Sequence, residues 1–149
     1  MDKGELKVLI FSAGGQLFAA DIVDIERIIA YQVPARIPEA PEFVDGIINH
    51  EGTIIPVMSL PKRFNLENDD CCSRESKIIL SLFEGNKIGI VVDNVLEVKT
   101  LSESDIDETP ELVSGISSRY IKGIIRLKES MAILINLSAI LTEEEKAQI

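Results

Sequence analysis

Phe43–Leu60, FVDGIINHEGTIIPVMSL, decides the fold, because it returns later in the chain as Tyr120–Leu137, YIKGIIRLKESMAILINL. Laid on each other at an offset of 77 residues without a gap, Val44 falls on Ile121 and Gly46 on Gly123. Ile47 and Ile48 fall on Ile124 and Ile125, Ile54 on Met131, Val57 on Leu134 and Leu60 on Leu137. Each stretch reads as two apolar strands around a polar turn, the first over Val44 to Asn49 and Thr53 to Met58 about His50-Glu51-Gly52. A second agreement, at an offset of 71, places Gly14 on Gly85 and Leu17 on Ile88. Glycines matched at a fixed offset separate a true repeat from two β-rich segments that merely look alike. The chain thus holds two copies of a roughly five-stranded unit. Short strands with turns every 8 to 12 residues predict a small barrel in each copy. A unit of about 70 residues has a marginal core by itself, so the two are expected to share an apolar interface.

The remaining elements fit this frame. Leu6 to Phe11 and Gln16 to Ala20 flank Gly14-Gly15 as a hairpin, and KIILSLFEGNKIGIVV, residues 77–92, is the clearest hairpin in the chain. In DIVDIERIIA the isoleucines at 22, 25, 28 and 29 recur at helical spacing while the β-branched density favours strand, so a helical turn passing into a strand is expected. Pro34, Pro38 and Pro41 make the next stretch an extended loop. Leu60 to Leu66 suggests a short helix, Val95 to Leu101 a strand, and the Pro110 region a polar loop. Thr142 with Glu145 fits a capping box, so a short C-terminal helix closes the chain. The barrels are expected mainly over residues 15–70 and 76–135, with terminal segments crossing over, in one domain spanning 1–149.

Composition narrows the chemistry. Of 149 residues, 15 are Lys or Arg and 25 are Asp or Glu, for a net charge of −10. That field opposes a phosphate-binding surface, and with no tryptophan and 5% aromatics there is no stacking platform for nucleic acid. No apolar run approaches the roughly 18 residues of a membrane span, and the first is too short for a signal peptide. Cys71 and Cys72 are adjacent, a spacing strained for a disulfide and wrong for a metal site; they read as reduced thiols in a surface loop. The single histidine, His50, sits in a hairpin turn without a nucleophile's signature and reads as a solvated loop residue. The acidic runs at 67–70 and 103–108 lack the calcium-loop pattern. No catalytic constellation, cofactor motif or metal set emerges, and the residues point to a binding module.

FVDGIINHEGTIIPVMSLPKRFNL resembles the signature of the CheW chemotaxis adaptor family, F-V-x-G-V-I-N-L-R-G-x-I-x-P-V-x-D-L-R-x-x-F. The opening strand pair, DIVDIERI, GNKIGIVVDNVLEV and YIKGIIRLKESMAILINLSAIL resemble the family in order and spacing, over about residues 5 to 142. The resemblance implies two intertwined five-stranded SH3-like barrels. It also implies a non-enzymatic, cytoplasmic scaffold that joins the cytoplasmic tip of methyl-accepting chemoreceptors to the regulatory domain of the histidine kinase CheA in arrays at the inner face of the membrane. A CheW-like adaptor serving another chemosensory pathway, for surface motility or gene regulation, is the alternative.

By the same resemblance the receptor tip lies in an apolar groove between the barrels. The matching positions are Ile22, Ile25 and Ile28 on the first barrel and Val98 on the second. Core packing competes for each isoleucine, and backbone geometry alone would account for Gly46. Where the family has N-L-R-G this chain has Asn49-His50-Glu51-Gly52, so Glu51 stands in place of an arginine involved in partner binding. Family Asp-Leu-Arg becomes Ser59-Leu60-Pro61. A basic or neutral partner group is therefore expected opposite Glu51.

Overall fold

The computed structural model describes residues 5–39, 44–60, 76–83, 85–108 and 121–137. The short helix expected at 60–66, the cysteine loop, the Pro110 loop and the C-terminal helix lie wholly or largely outside these residues.

Among the described residues eleven strands form two sheets, joined in part by tight hairpins. β1 (Leu6–Ala13) and β2 (Gln16–Asp21) pair across Gly14-Gly15, whose φ values of 60° and 80° suit the two central positions of a type I′ turn. A 3-10 turn, Ile22–Asp24, leads into β3 (Ile25–Ala30), the turn-then-strand expected of that segment. β4 (Val44–His50) and β5 (Thr53–Ser59) pair around Glu51-Gly52, and β6 (Lys77–Phe83) and β7 (Asn86–Val92) form the next hairpin. β8 (Asn94–Leu101) precedes a second 3-10 turn, Glu103–Asp105, and the two-residue β9 (Ile106–Asp107). β10 (Ile121–Arg126) and β11 (Met131–Ile135) complete the set.

One sheet runs β3-β6-β7-β5-β4 and the other β8-β1-β2-β11-β10-β9. The duplication is visible in this order. In each sheet a hairpin (β6–β7 or β1–β2) sits between an edge strand and a parallel partner, β5 or β11. Residues 77–92 thus join the sheet holding 25–30 and 44–59, while residues 6–21 join the sheet holding 94–107 and 121–135. Gly46 has φ 146°, and a Cβ there would collide with the Ala35 carbonyl oxygen. Ala35 bridges to Ile47 at this point, so the glycine lets the chain close against β4. Gly123, its repeat mate, would bring a Cβ to 2.8 Å from the Asp107 oxygen where β9 closes against β10.

Among the described residues three apolar clusters explain the mainly β, two-barrel architecture. Val8, Ile10, Ala19, Leu101, Ile125, Ala132 and Leu134 fill one barrel. Ile48, Ile55, Val57, Ile78, Leu80 and Val91 fill the other. Between the barrels lies a shared cluster that includes Leu9, Phe11 and Phe18 from one sheet and Met58, Ile79 and Ile90 from the other. β1 shows why its run is continuously apolar: Val8 and Ile10 enter the barrel core, while Leu9 and Phe11 face the interface. Among the described residues no helix is long and apolar enough to cross a membrane.

Candidate functional site

β3 and β8 are edge strands, one from each sheet. An open groove of about 270 Å³ is lined by Leu9, Ile22, Ile25, Glu26, Arg27, Ile28 and Val98. Its apolar character follows from the elements that build it. Ile22 belongs to the 3-10 turn, Ile25 and Ile28 to β3, and Val98 to β8, where it pairs with the buried Leu9 of β1. Ile22 and Ile25 are half-buried, Ile25 also packing on the shared core, whereas Ile28 is 38% and Val98 55% exposed. Val23 on the 3-10 turn, at 82%, and Leu96 on β8, at 49%, add exposed apolar surface nearby in the chain. A soluble fold leaves such a strip uncovered for a partner more readily than for solvent.

The turn and strand are held firmly. The Asp21 carboxylate accepts from the Val23 amide at 3.1 Å, and the Ser81 hydroxyl donates to the Asp24 carbonyl at 2.6 Å, tying the turn to β6. Burial raises the Asp24 pKa; Lys122 opposes that shift and Asp21 adds to it. On β3 itself, Lys87 of β7 pairs with Glu26 at 3.0 Å.

The four apolar positions read from sequence, Ile22, Ile25, Ile28 and Val98, all fall on this one groove. Glu51 does not line it. It sits in the β4–β5 turn, at φ 49°, with Gly52 at φ 85° and the Gly52 amide donating to the Asn49 side chain at 3.0 Å. From there Glu51 Oε1 reaches Arg27 Nη1 at 3.3 Å. The group facing Glu51 within the chain is therefore a groove residue, one that sequence reasoning passed over. Arg27 lies 24 positions before Glu51, and no local pattern announces a contact between a strand and a distant turn. His50 is less solvated than its turn position suggested: its side chain is 16% exposed, and its Nε2, 3.9 Å from Glu51 Oε2, has no hydrogen-bond partner among the described residues.

Nothing in this arrangement converges on a reacting atom. Its assets are apolar area, two edge strands and a charged rim, which suit the capture of a polypeptide segment. Comparisons with known proteins identify the family. The CheW-like domain family matches residues 7–145. The chemotaxis protein CheW of Klebsiella aerogenes is 32% identical over 139 residues, covering 93% of this chain and 83% of that protein. That of Thermotoga maritima is 30% identical, covering 93% and 89%. The crystal structure of the scaffolding protein TtCheW from Thermoanaerobacter tengcongensis superposes with a TM-score of 0.85 at 32% identity, over 97% of this chain and 92% of that one. With the match running nearly end to end, in fold as well as in residues, the chain belongs to the CheW family.

Proposed function

We propose that this protein is a non-enzymatic coupling scaffold of a chemosensory array. The groove between β3 and β8 receives the cytoplasmic tip of a methyl-accepting chemoreceptor through Ile22, Ile25, Ile28 and Val98, and other barrel surfaces bind the regulatory domain of the histidine kinase CheA. The single observation that carries this reading is the groove itself: an apolar slot walled by one edge strand from each barrel, with Ile28 and Val98 exposed. An amphipathic helix laid in such a slot buries its apolar stripe, the helix-in-groove mode of recognition. The work is then done in the cytoplasm, at the inner face of the membrane, by one unit comprising both barrels.

Reconstitution tests it. Mixed with the kinase and a receptor signalling fragment, the protein should make kinase phosphorylation depend on the receptor. Ile28→Asp combined with Val98→Asp should leave the melting temperature within a few degrees, since both side chains are exposed, yet weaken receptor binding by more than about tenfold. Undiminished coupling by the double variant would show that the groove is not the receptor site. The His50-Glu51-Gly52 turn, which departs from the family pattern, also favours asking which pathway is served. The kinase that co-purifies with the protein answers that: a kinase of surface motility or gene regulation would redirect the reading.

A further inference from the structure

We propose that Arg27 is a recognition residue of the groove, held in place by Glu51, and that its guanidinium binds an aspartate or glutamate carboxylate on the amphipathic segment occupying the groove. This rests on the groove being the receptor site and adds the chemistry of one contact within it. Two charged side chains line the groove, and they differ in how far the fold uses them. Glu26 is matched by Lys87 at 3.0 Å, with side-chain exposures of 28% and 34%. Arg27 is 53% exposed and among the described residues meets only the Glu51 carboxylate, at 3.3 Å through one nitrogen. A guanidinium carries five N–H donors in a rigid plane, so most of its bonding capacity is unspent among the described residues.

Stability does not explain the pair. An ion pair this exposed contributes about 0–1 kcal/mol, and Glu51 sits at φ 49°, a conformation that costs a residue with a Cβ about as much. What the pair does achieve is to restrict a long, flexible arginine at the groove wall, so less freedom is lost when a partner binds. Charge points to the same occupant. A chain of net charge −10 repels acidic segments at long range, so an acid admitted here needs a local cation, and Arg27 is the one cation lining the groove among the described residues.

The test is equilibrium binding of the full chain to the soluble cytoplasmic signalling fragment of a chemoreceptor from the same organism, at several salt concentrations. Arg27→Ala should bind about tenfold more weakly and with a flatter salt dependence. Arg27→Glu should lose more, by about thirtyfold, through like-charge repulsion. Exchanging the two residues, Arg27→Glu with Glu51→Arg, should recover affinity to within about threefold of the parent, because the cation returns to nearly the same place. A merely structural role for Glu51 would not yield that rescue. If the parent binds and Arg27→Ala binds equally well at all salts, the Arg27 contact is refuted while the groove stands. Failure of the exchanged variant to exceed Arg27→Glu refutes the positioning role of Glu51. A parent chain that does not bind the fragment, or whose self-association is what Arg27→Ala abolishes, overturns both the receptor reading and this contact.

Discussion

Glu51 shows how one side chain answers to two demands. The β4–β5 connection has two central residues, Glu51 and Gly52, both at positive φ, as a type I′ hairpin turn requires. Glycine meets that requirement freely and glutamate does not, whereas asparagine tolerates it well. Glu51→Asn should therefore leave stability unchanged or raise it by up to about 1 kcal/mol in urea unfolding, despite removing the ion pair with Arg27. A loss exceeding about 0.5 kcal/mol would mean the pair outweighs the turn. The turn was readable in the sequence, since a polar Glu-Gly between apolar runs has few other meanings. The acid in place of the family arginine was readable too, but its answer from β3 was not. Which side chain meets a turn depends on how the barrel closes, and residues 24 apart carry no periodic signal of that.

The segment from Asp21 to Ala30 shows how far local pattern reaches at the scale of an element. Helical spacing and β-branching pull in opposite directions there, and the chain satisfies both in sequence, with a 3-10 turn over Ile22–Asp24 and then β3. Farther along, Glu103–Asp107 forms a 3-10 turn and the two-residue β9 where the sequence suggests only a polar loop, because so short a strand cannot show alternation. Within the first turn Asp24 is partly desolvated, and its pKa is raised by that burial in spite of Lys122. A carboxyl whose folded pKa lies above its unfolded one holds more protons folded than unfolded. Stability is therefore lost as pH rises through that window, and the loss is complete at neutral pH. Asp24→Asn should thus raise the melting temperature at pH 7, by less than about 1 kcal/mol in stability because the side chain keeps some water contact, and the gain should vanish near pH 3. The backbone carbonyl that Ser81 grips is untouched by the change. An equal gain at both pH values would indicate a packing effect instead of a charge effect.

At the scale of the molecule, the duplication is legible in the residues themselves, whereas the intertwining of the two units is legible only through the family resemblance. Offsets of 77 and 71 identify equivalent strands, yet they are silent on whether a hairpin pairs within its own copy or with the other. Burial hides the answer further. The central strands place alternate residues in a barrel core and in the shared cluster, so both faces are apolar and the period of two disappears. The physical consequence is that each barrel core is backed by a cluster the two sheets hold in common. Phe11 is fully buried and stacks on Phe18 with ring centroids 5.8 Å apart, while Met58, Ile79 and Ile90 of the other sheet belong to the same cluster. Asp93, between β7 and β8, adds a polar tie across the seam: its side chain accepts from the Gly14 amide at 2.9 Å and its amide donates to the Ser12 carbonyl at 2.8 Å. Removing the ring should then act on both barrels. Phe11→Ala is expected to cost about 3–5 kcal/mol, a large part of the 5–15 kcal/mol that holds a typical domain folded. Hydrogen exchange is the measurement that distinguishes a shared core from two adjoining ones. In the variant the amides of β6 and β7 should lose protection together with those of β1 and β2, in one cooperative transition. If β6 and β7 kept their protection while β1 and β2 exchanged freely, the barrels would be independent, and the groove between their edge strands would lack rigid walls.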